Sequence, residues 1–355
     1  MEKSLQELQS SYTNGLWILT FIFAILFLVR FTLVIRSRAE RKWLFQWKGE
    51  WFVYSLKLIF LLAMLSLLVG LPTWFYYIAG FRILISDAAI HSFVAVWYAI
   101  AIQEIILSFT ASKRLVEQFI KRILFFLLSI FWALGFGLAS LIVFKAYEHP
   151  AKEECVQIQL PVHGTWRASH AGGHSSVNYH MAIPQQAYGV DLVKVNEEGK
   201  FFTGTGTAIT DYVAFNDSVF APVSGKIALI INQYNNEQVM KKGDTIHSLG
   251  NYIAIEMGTQ QYLILAQLNK GSMQVNVGDN IVEGQYLAHV GNSGNTTWPH
   301  LHMQISNKAD VYDSTAVGLP FVLKNFCRKR WTNWSLVDLD YLMRNDFISS
   351  ECNSK

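Results

Sequence analysis

The stretch GNSGNTTWPHLHMQI, from Gly291 to Ile305, places His300 and His302 two residues apart in a segment that reads as a strand. Successive strand side chains point to opposite faces, so His-x-His sets both imidazoles on one face, where they can share a metal ion or one reacting centre. The Gly-Asn-Ser-Gly-Asn run ahead of it carries turn chemistry, and Pro299 fixes the backbone just before the histidines. His-x-His is common by itself. What flanks it narrows the reading.

Upstream lie FAPVSGKI (Phe220 to Ile227), GNYIAIEMG (Gly250 to Gly258) and GSMQVNVGDNIVEGQYLAHVGNSG (Gly271 to Gly294). Together with the histidine stretch they resemble the LytM/lysostaphin-type zinc metallopeptidases, which cleave peptide bonds in bacterial peptidoglycan and have a compact, mainly antiparallel β fold. The resemblance runs over roughly Trp166 to Ser306, less than half of the 355 residues. It implies a lysostaphin/LytM-like all-β domain, and after Pro150 the apolar pattern does break into short runs between Gly, Asn, Asp and Ser, as strands and turns require. Asn235 to Gly250 is polar and reads as a long hairpin excursion.

Composition describes the remainder. The chain is 52% hydrophobic and only 15% charged, which is too apolar for a soluble protein of this length. The excess sits before Pro150 in four stretches, Leu16 to Ile35, Leu58 to Ile78, Ala88 to Phe109 and Ile123 to Phe144. Each reaches the ~20 residues that cross a bilayer as a helix. Arg36, Arg38, Arg41, Lys42, Lys48 and Lys57 follow the first stretch, and Lys113, Arg114, Lys121 and Arg122 follow the third. The opposite side offers only Lys3 and Arg82. Basic loops stay in the cytoplasm, so an even number of crossings puts the region after Lys145 outside it. The expected organisation is an extracytoplasmic tail (1–14), a four-helix transmembrane region (15–149), a LytM-like domain (150–306) and a C-terminal extension (307–355). The extension reads as loop and short helix. The expected location is the bacterial cytoplasmic (inner) membrane, multi-pass, with the C-terminal domain periplasmic or extracellular.

A catalytic zinc needs three protein ligands and an open position. The resemblance implies a histidine, an aspartate four residues later, and the second histidine of His-x-His. Asp191 in AYGVDLVKV and His302 match the last two, but Ala187 stands where the first histidine belongs. The nearest replacement is His180, because Asn178, His180, Gln186 and Asp191 resemble a variant pattern within the family; His170 and His174 in SHAGGH are alternatives. The expected Zn2+ ligands are therefore His180, Asp191 and His302. Of the family's two non-ligand histidines, His300 matches one and Gln267, in LILAQLNKGS, stands at the other. Glutamine holds a water or donates a hydrogen bond but carries no proton at neutral pH. His300 and Gln267 are the expected catalytic pair.

Three cysteines, Cys155, Cys327 and Cys352, are an odd number, and Cys155 and Cys327 bracket the β domain as a candidate disulfide. A net charge of +3 gives no basic stripe for nucleic acid. Two functions fit these residues. One is a membrane-anchored zinc metalloendopeptidase acting on peptidoglycan crosslink peptides. The other is a catalytically degenerate LytM-like domain that binds cell wall or regulates another wall hydrolase. Asp191, His300 and His302 favour the first; Ala187 and Gln267 favour the second.

Overall fold

The computed structural model describes residues 4–36, 41–43, 87–112, 141, 145–330 and 333–352. Two compact units are present, one formed by 8–144 and the other by 1–7 with 145–355. In the first, helix α1 (Leu5–Arg36) and helix α2 (Asp87–Phe109) are apolar, and Leu16 packs among Ala89, Ile90, Phe93 and Val94. Short strands β1 (Arg41–Trp43) and β2 (Thr110–Ser112) pair antiparallel.

Within α1, Leu5–Val29 is long and apolar enough to cross a membrane, and Trp17, Ile18, Phe21 and Leu28 stand exposed along it. It is the single such helix among the described residues. The expected third span coincides with α2. The expected spans Leu58 to Ile78 and, apart from Leu141, Ile123 to Phe144 lie outside the described residues. Among the described residues, the expectation of four membrane helices is met by one N-terminal apolar span ahead of a mainly β domain.

That domain is built on strands β3 (Val156–Ile158), β4 (Thr165–His170), β5 (Val190–Lys194), β6 (Ser218–Phe220), β7 (Gly225–Ile231), β8 (Tyr252–Gly258), β9 (Gln261–Ala266) and β10 (Asn280–Ile281). They are followed by β11 (Tyr286–His289), β12 (Leu301–Ser306), β13 (Gly318–Leu319), β14 (Phe321–Lys329), β15 (Trp334–Asp340) and β16 (Phe347–Ser349). Twelve strands form one sheet, ordered β10-β7-β8-β9-β12-β5-β4-β16-β14-β15, with β13 on β12 and β3 on β14; β11 and β6 pair separately. All pairings are antiparallel except β14 with β3. Residues 232–251, including the polar Asn235 to Gly250 run, connect β7 to β8, which pair as a hairpin.

Alternation in β12, LHMQIS, explains both the core and the site. Leu301, Met303 and Ile305 enter a core with Val190, Leu192, Ile253, Ile255, Leu263 and Leu265. His302 and Gln304 take the opposite face, yet they too are buried. That face is covered alongside by Leu249, Tyr252, Ala254, Ile264, Ala266 and Val311. A sheet apolar on both faces gains about 1.5–3 kcal/mol per buried aliphatic side chain, so its strands tolerate a polar row only where polar partners are supplied.

The C-terminal extension departs from the loop and short helix expected of it. Residues 318–349 form β13 to β16, and β16 joins β14 to β4, making the extension part of the central sheet. Alternation there is masked because Phe321, Val322 and Leu323 are all buried. The disulfide also differs from the expected Cys155–Cys327 pair. Cys327 pairs with Cys352, since β16 returns antiparallel beside β14 and brings the tail to Cys327. Cys155 is a buried thiol against the Tyr341 hydroxyl, 2.8 Å away.

Candidate metal centre

Strand register assembles the site. His302 on β12 lies directly opposite Asp191 on β5, and a bulge between Ala168 and His170 puts His170 on β4 opposite the same aspartate. Directly paired antiparallel residues face the same side of a sheet. His170, Asp191 and His302 thus form one row across three strands.

His180 comes from outside the sheet. Two short 3-10 helices, Tyr179–Ala182 and Pro184–Gln186, fold the chain back before β5. The Asn178 side chain ties this segment down: its Oδ1 accepts from His180 N at 3.3 Å, and its Nδ2 donates to Gly172 O and Gly189 O at 3.1 and 2.9 Å. His180 Nε2 consequently stands 3.0 Å from Asp191 Oδ1, and His302 Nδ1 stands 2.9 Å from the same oxygen. One donor atom from each of His180, Asp191 and His302 lies within 4.8 Å of the others. All three residues are at most 2% exposed.

Second partners orient both rings. Gln304 Nε2 donates to Gln185 O at 2.8 Å, which turns its Oε1 toward His302 Nε2, also at 2.8 Å. The amide oxygen only accepts, so Nε2 carries the proton in the neutral ring and the Nδ1 lone pair faces the space beside Asp191 Oδ1. Gln186 Oε1 likewise accepts from His180 Nδ1 at 2.8 Å, leaving the His180 Nε2 lone pair facing inward. That nitrogen stands 3.0 Å from Asp191 Oδ1. Two lone pairs and a carboxylate oxygen converging in a buried space repel one another unless a cation sits among them. The donor set of two imidazoles and a carboxylate fits a divalent ion such as zinc, and the two glutamines fill the orienting role that such ligands require.

His300 approaches from the loop before β12. Its Nδ1 meets Trp298 O at 2.8 Å and Thr296 Oγ1 at 3.2 Å. Its Nε2 is buried without a hydrogen-bond partner, 3.6 Å from Asp191 Oδ1. Burial opposes charge on this imidazole, but Asp191 and the Trp298 carbonyl outweigh it and hold the pKa above 6.5. For Asp191, burial pushes the pKa up, while His180, His300 and the hydrogen bond from His170 pull it well below 3.8. His302 is held below 6.5, by burial first and then by neighbouring His180. An ionised carboxylate among histidines is the outcome.

The other sequence candidates are placed less closely. Gln267 follows β9 in a left-handed backbone, φ +63, with its Oε1 buried and without a hydrogen-bond partner. Its backbone bonds to Leu249 and Gly291 rather than to the histidines. Ala187 ends the Pro184–Gln186 turn, and its backbone packs against Gly318. His174 bonds Ser176, whereas His170 Nδ1 reaches Asp191 Oδ2 at 3.2 Å. Sequence reasoning passed over Gln304 and Tyr179. Gln304 is legible as the next residue on the His302 face of β12; no local pattern marks Tyr179.

Residues 205–314 match the model of peptidase family M23. That segment contains Gln267, His300 and His302 but not His180 or Asp191. No curated protein matches the chain. Among solved structures, a zinc-containing peptidase from Vibrio cholerae is 21% identical over 33% of this chain and 26% of its own, with a TM-score of 0.21. The catalytic domain of the antimicrobial peptidase lysostaphin from Staphylococcus simulans is 25% identical over 37% of this chain and 74% of its own, TM-score 0.23. A putative peptidase M23 from Pseudomonas aeruginosa is 20% identical over 47% of this chain and 53% of its own, TM-score 0.26. The chain thus spans about a quarter and about half of the Vibrio and Pseudomonas chains. By the matched segment and the residues it contains, and with departures at Ala187 and Gln267, the chain resembles the LytM/lysostaphin-type zinc metallopeptidases of peptidase family M23.

Proposed function

We propose that this protein is a zinc metalloendopeptidase that acts on peptidoglycan crosslink peptides outside the cytoplasm, held at the bacterial membrane by its N-terminal helical region. The observation that carries the reading is the convergence of His180 Nε2 and His302 Nδ1 on Asp191 Oδ1 at 3.0 and 2.9 Å, with all three residues buried. Zinc held there supplies Lewis-acid polarisation of a scissile carbonyl and of water. Gln186 and Gln304 hold the two imidazoles in the tautomers that leave a lone pair for the ion. With its Nδ1–H donating a hydrogen bond to the Trp298 carbonyl, His300 keeps Nε2 available to take a proton beside this cluster. Gln267 orients a water or a carbonyl but moves no proton. If the missing histidine served as a base, its loss costs a hundred- to ten-thousandfold in rate, roughly.

The membrane part of the proposal extends the N-terminal span to four helices, with the ten basic residues of the two intervening loops in the cytoplasm. The domain then faces the compartment that holds peptidoglycan. Ala187 and Gln267 support a second reading, a degenerate domain that binds wall peptide or regulates another hydrolase.

Zinc content and muropeptide release separate the two. The purified full-length chain is compared with His302→Ala and Gln267→His. Zinc-dependent release, abolished by His302→Ala, is expected. A metal-free and inert wild type overturns the enzyme reading, and release appearing only in Gln267→His identifies a decayed enzyme.

A further inference from the structure

The two oxygens of Asp191 face different company. Oδ1 looks toward His302 Nδ1, His180 Nε2 and His300 Nε2, at 2.9, 3.0 and 3.6 Å. Oδ2 lies against His170 Nδ1 at 3.2 Å and the Tyr179 hydroxyl at 3.3 Å. A carboxylate only accepts hydrogen bonds, so both of these neighbours donate to it. His170 lies outside the group whose donor atoms converge, which separates it from the three candidate ligands although it touches one of them.

We infer that His170 and Tyr179 are positioning residues that clamp Asp191 Oδ2, so that the carboxylate presents Oδ1 alone to the cation. The inference rests on the metal reading of this same site. An unclamped carboxylate rotates about its last bond and offers either oxygen or both; one oxygen tied by two donors cannot turn away without losing both bonds. Backbone features set up each donor independently. The bulge in β4 delivers His170 opposite Asp191. Asn178 starts the 3-10 helix that carries Tyr179 and His180, and bonds Gly189 O, two residues before Asp191. Tyr179 and His180 therefore approach the same carboxylate from one short helix, one on each oxygen. The His170 and Tyr179 rings meet edge-on, 4.6 Å between centroids and 81° apart, so each limits the other's freedom. Both remain partly open to solvent, with the His170 side chain 28% and Tyr179 41% exposed. Replacing either leaves the core untouched.

The test titrates the purified full-length chain with Zn2+ against a chromophoric chelator, and with Co2+ while its visible absorption bands are recorded. Tyr179→Phe and His170→Ala are each expected to weaken Zn2+ binding by roughly 10- to 100-fold, the usual effect of removing an outer partner of a metal ligand. The cobalt bands should weaken as Asp191 offers its second oxygen and the coordination number rises. His170→Asn, whose amide nitrogen replaces the donating Nδ1, should restore affinity and spectrum, with metal-free unfolding unchanged throughout. Wild-type affinity and spectrum in both variants overturn the clamp alone. A loss that His170→Asn fails to rescue, with lowered metal-free stability, makes the residues structural and overturns it as well. A wild type that binds neither ion overturns the metal reading and the clamp together.

Discussion

Gly189 lies between the two histidines that converge on Asp191. A Cβ built on it would stand 2.9 Å from Gln186 O, 3.0 Å from His302 Cε1 and 3.4 Å from His180 Cγ. The first two separations are shorter than a carbon atom accepts in a packed interior, so Gly189→Ala must push the turn, the rings or both. Overpacking of this kind costs about 1–3 kcal/mol. In the metal-free protein the rings can yield and relieve part of it. Once both rings are held against a cation they cannot, so the strain falls on binding, where 1–3 kcal/mol is about a 5- to 150-fold loss of affinity. Chelator competition with Zn2+ measures this directly. Gly258→Ala is the control, because its added Cβ meets only the flexible Gln261 side chain, at 3.8 Å. If Gly189→Ala binds zinc as tightly as the wild type while keeping its unfolding temperature, the packing of both rings against position 189 is wrong, and with it the convergence on Asp191.

Two further outcomes follow from the rest of the domain. His149 stacks on Tyr341 at 3.9 Å with both ring nitrogens buried and unpartnered. Its pKa falls from 6.5 to about 4, by burial and then the Arg330 charge, against the opposing pull of Asp340. Between those values the unfolded chain binds more protons than the folded one, so stability drops as pH falls from 6.5 toward 4 and levels off below. The full effect would be about 3 kcal/mol, which partial exposure cuts to about 1–2 kcal/mol. Denaturant unfolding from pH 4 to 7 should show His149→Phe flatter than wild type by that amount; equal slopes refute it. Separately, Cys352→Ser opens a bridge between residues 25 apart in sequence and should cost about 3 kcal/mol through the unfolded chain's added freedom. Denaturant midpoints with and without reductant check this, and a reductant-insensitive wild type would contradict the pairing.

The residues of the candidate metal centre were legible to different depths, for physical reasons. Alternation in β12 settles locally that His302 faces away from the core that takes Leu301 and Met303, because side-chain period two is a backbone property. Asp191 was legible for the same reason, in a strand whose neighbours Val190 and Leu192 are apolar. The apolar run from Leu16 was likewise legible locally, although the helix begins at Leu5, inside the expected 1–14 tail, and the apolar span runs over Leu5–Val29. What local order could not supply was which strand lies beside which. The pairing of Asp191 with His302, across 111 residues, and the bulge that brings His170 to the other side of the aspartate are matters of register. His180 became a neighbour only because Asn178 and two short helices fold the chain back ahead of β5. The extension misled for the complementary reason: β14 is buried with little alternation, so its strand character depends on the neighbours β16 and β15. Sequence determined which residue types face which way along each strand; tertiary structure decided which of them meet, because hydrogen-bond register between distant strands is set by the packing of the whole sheet.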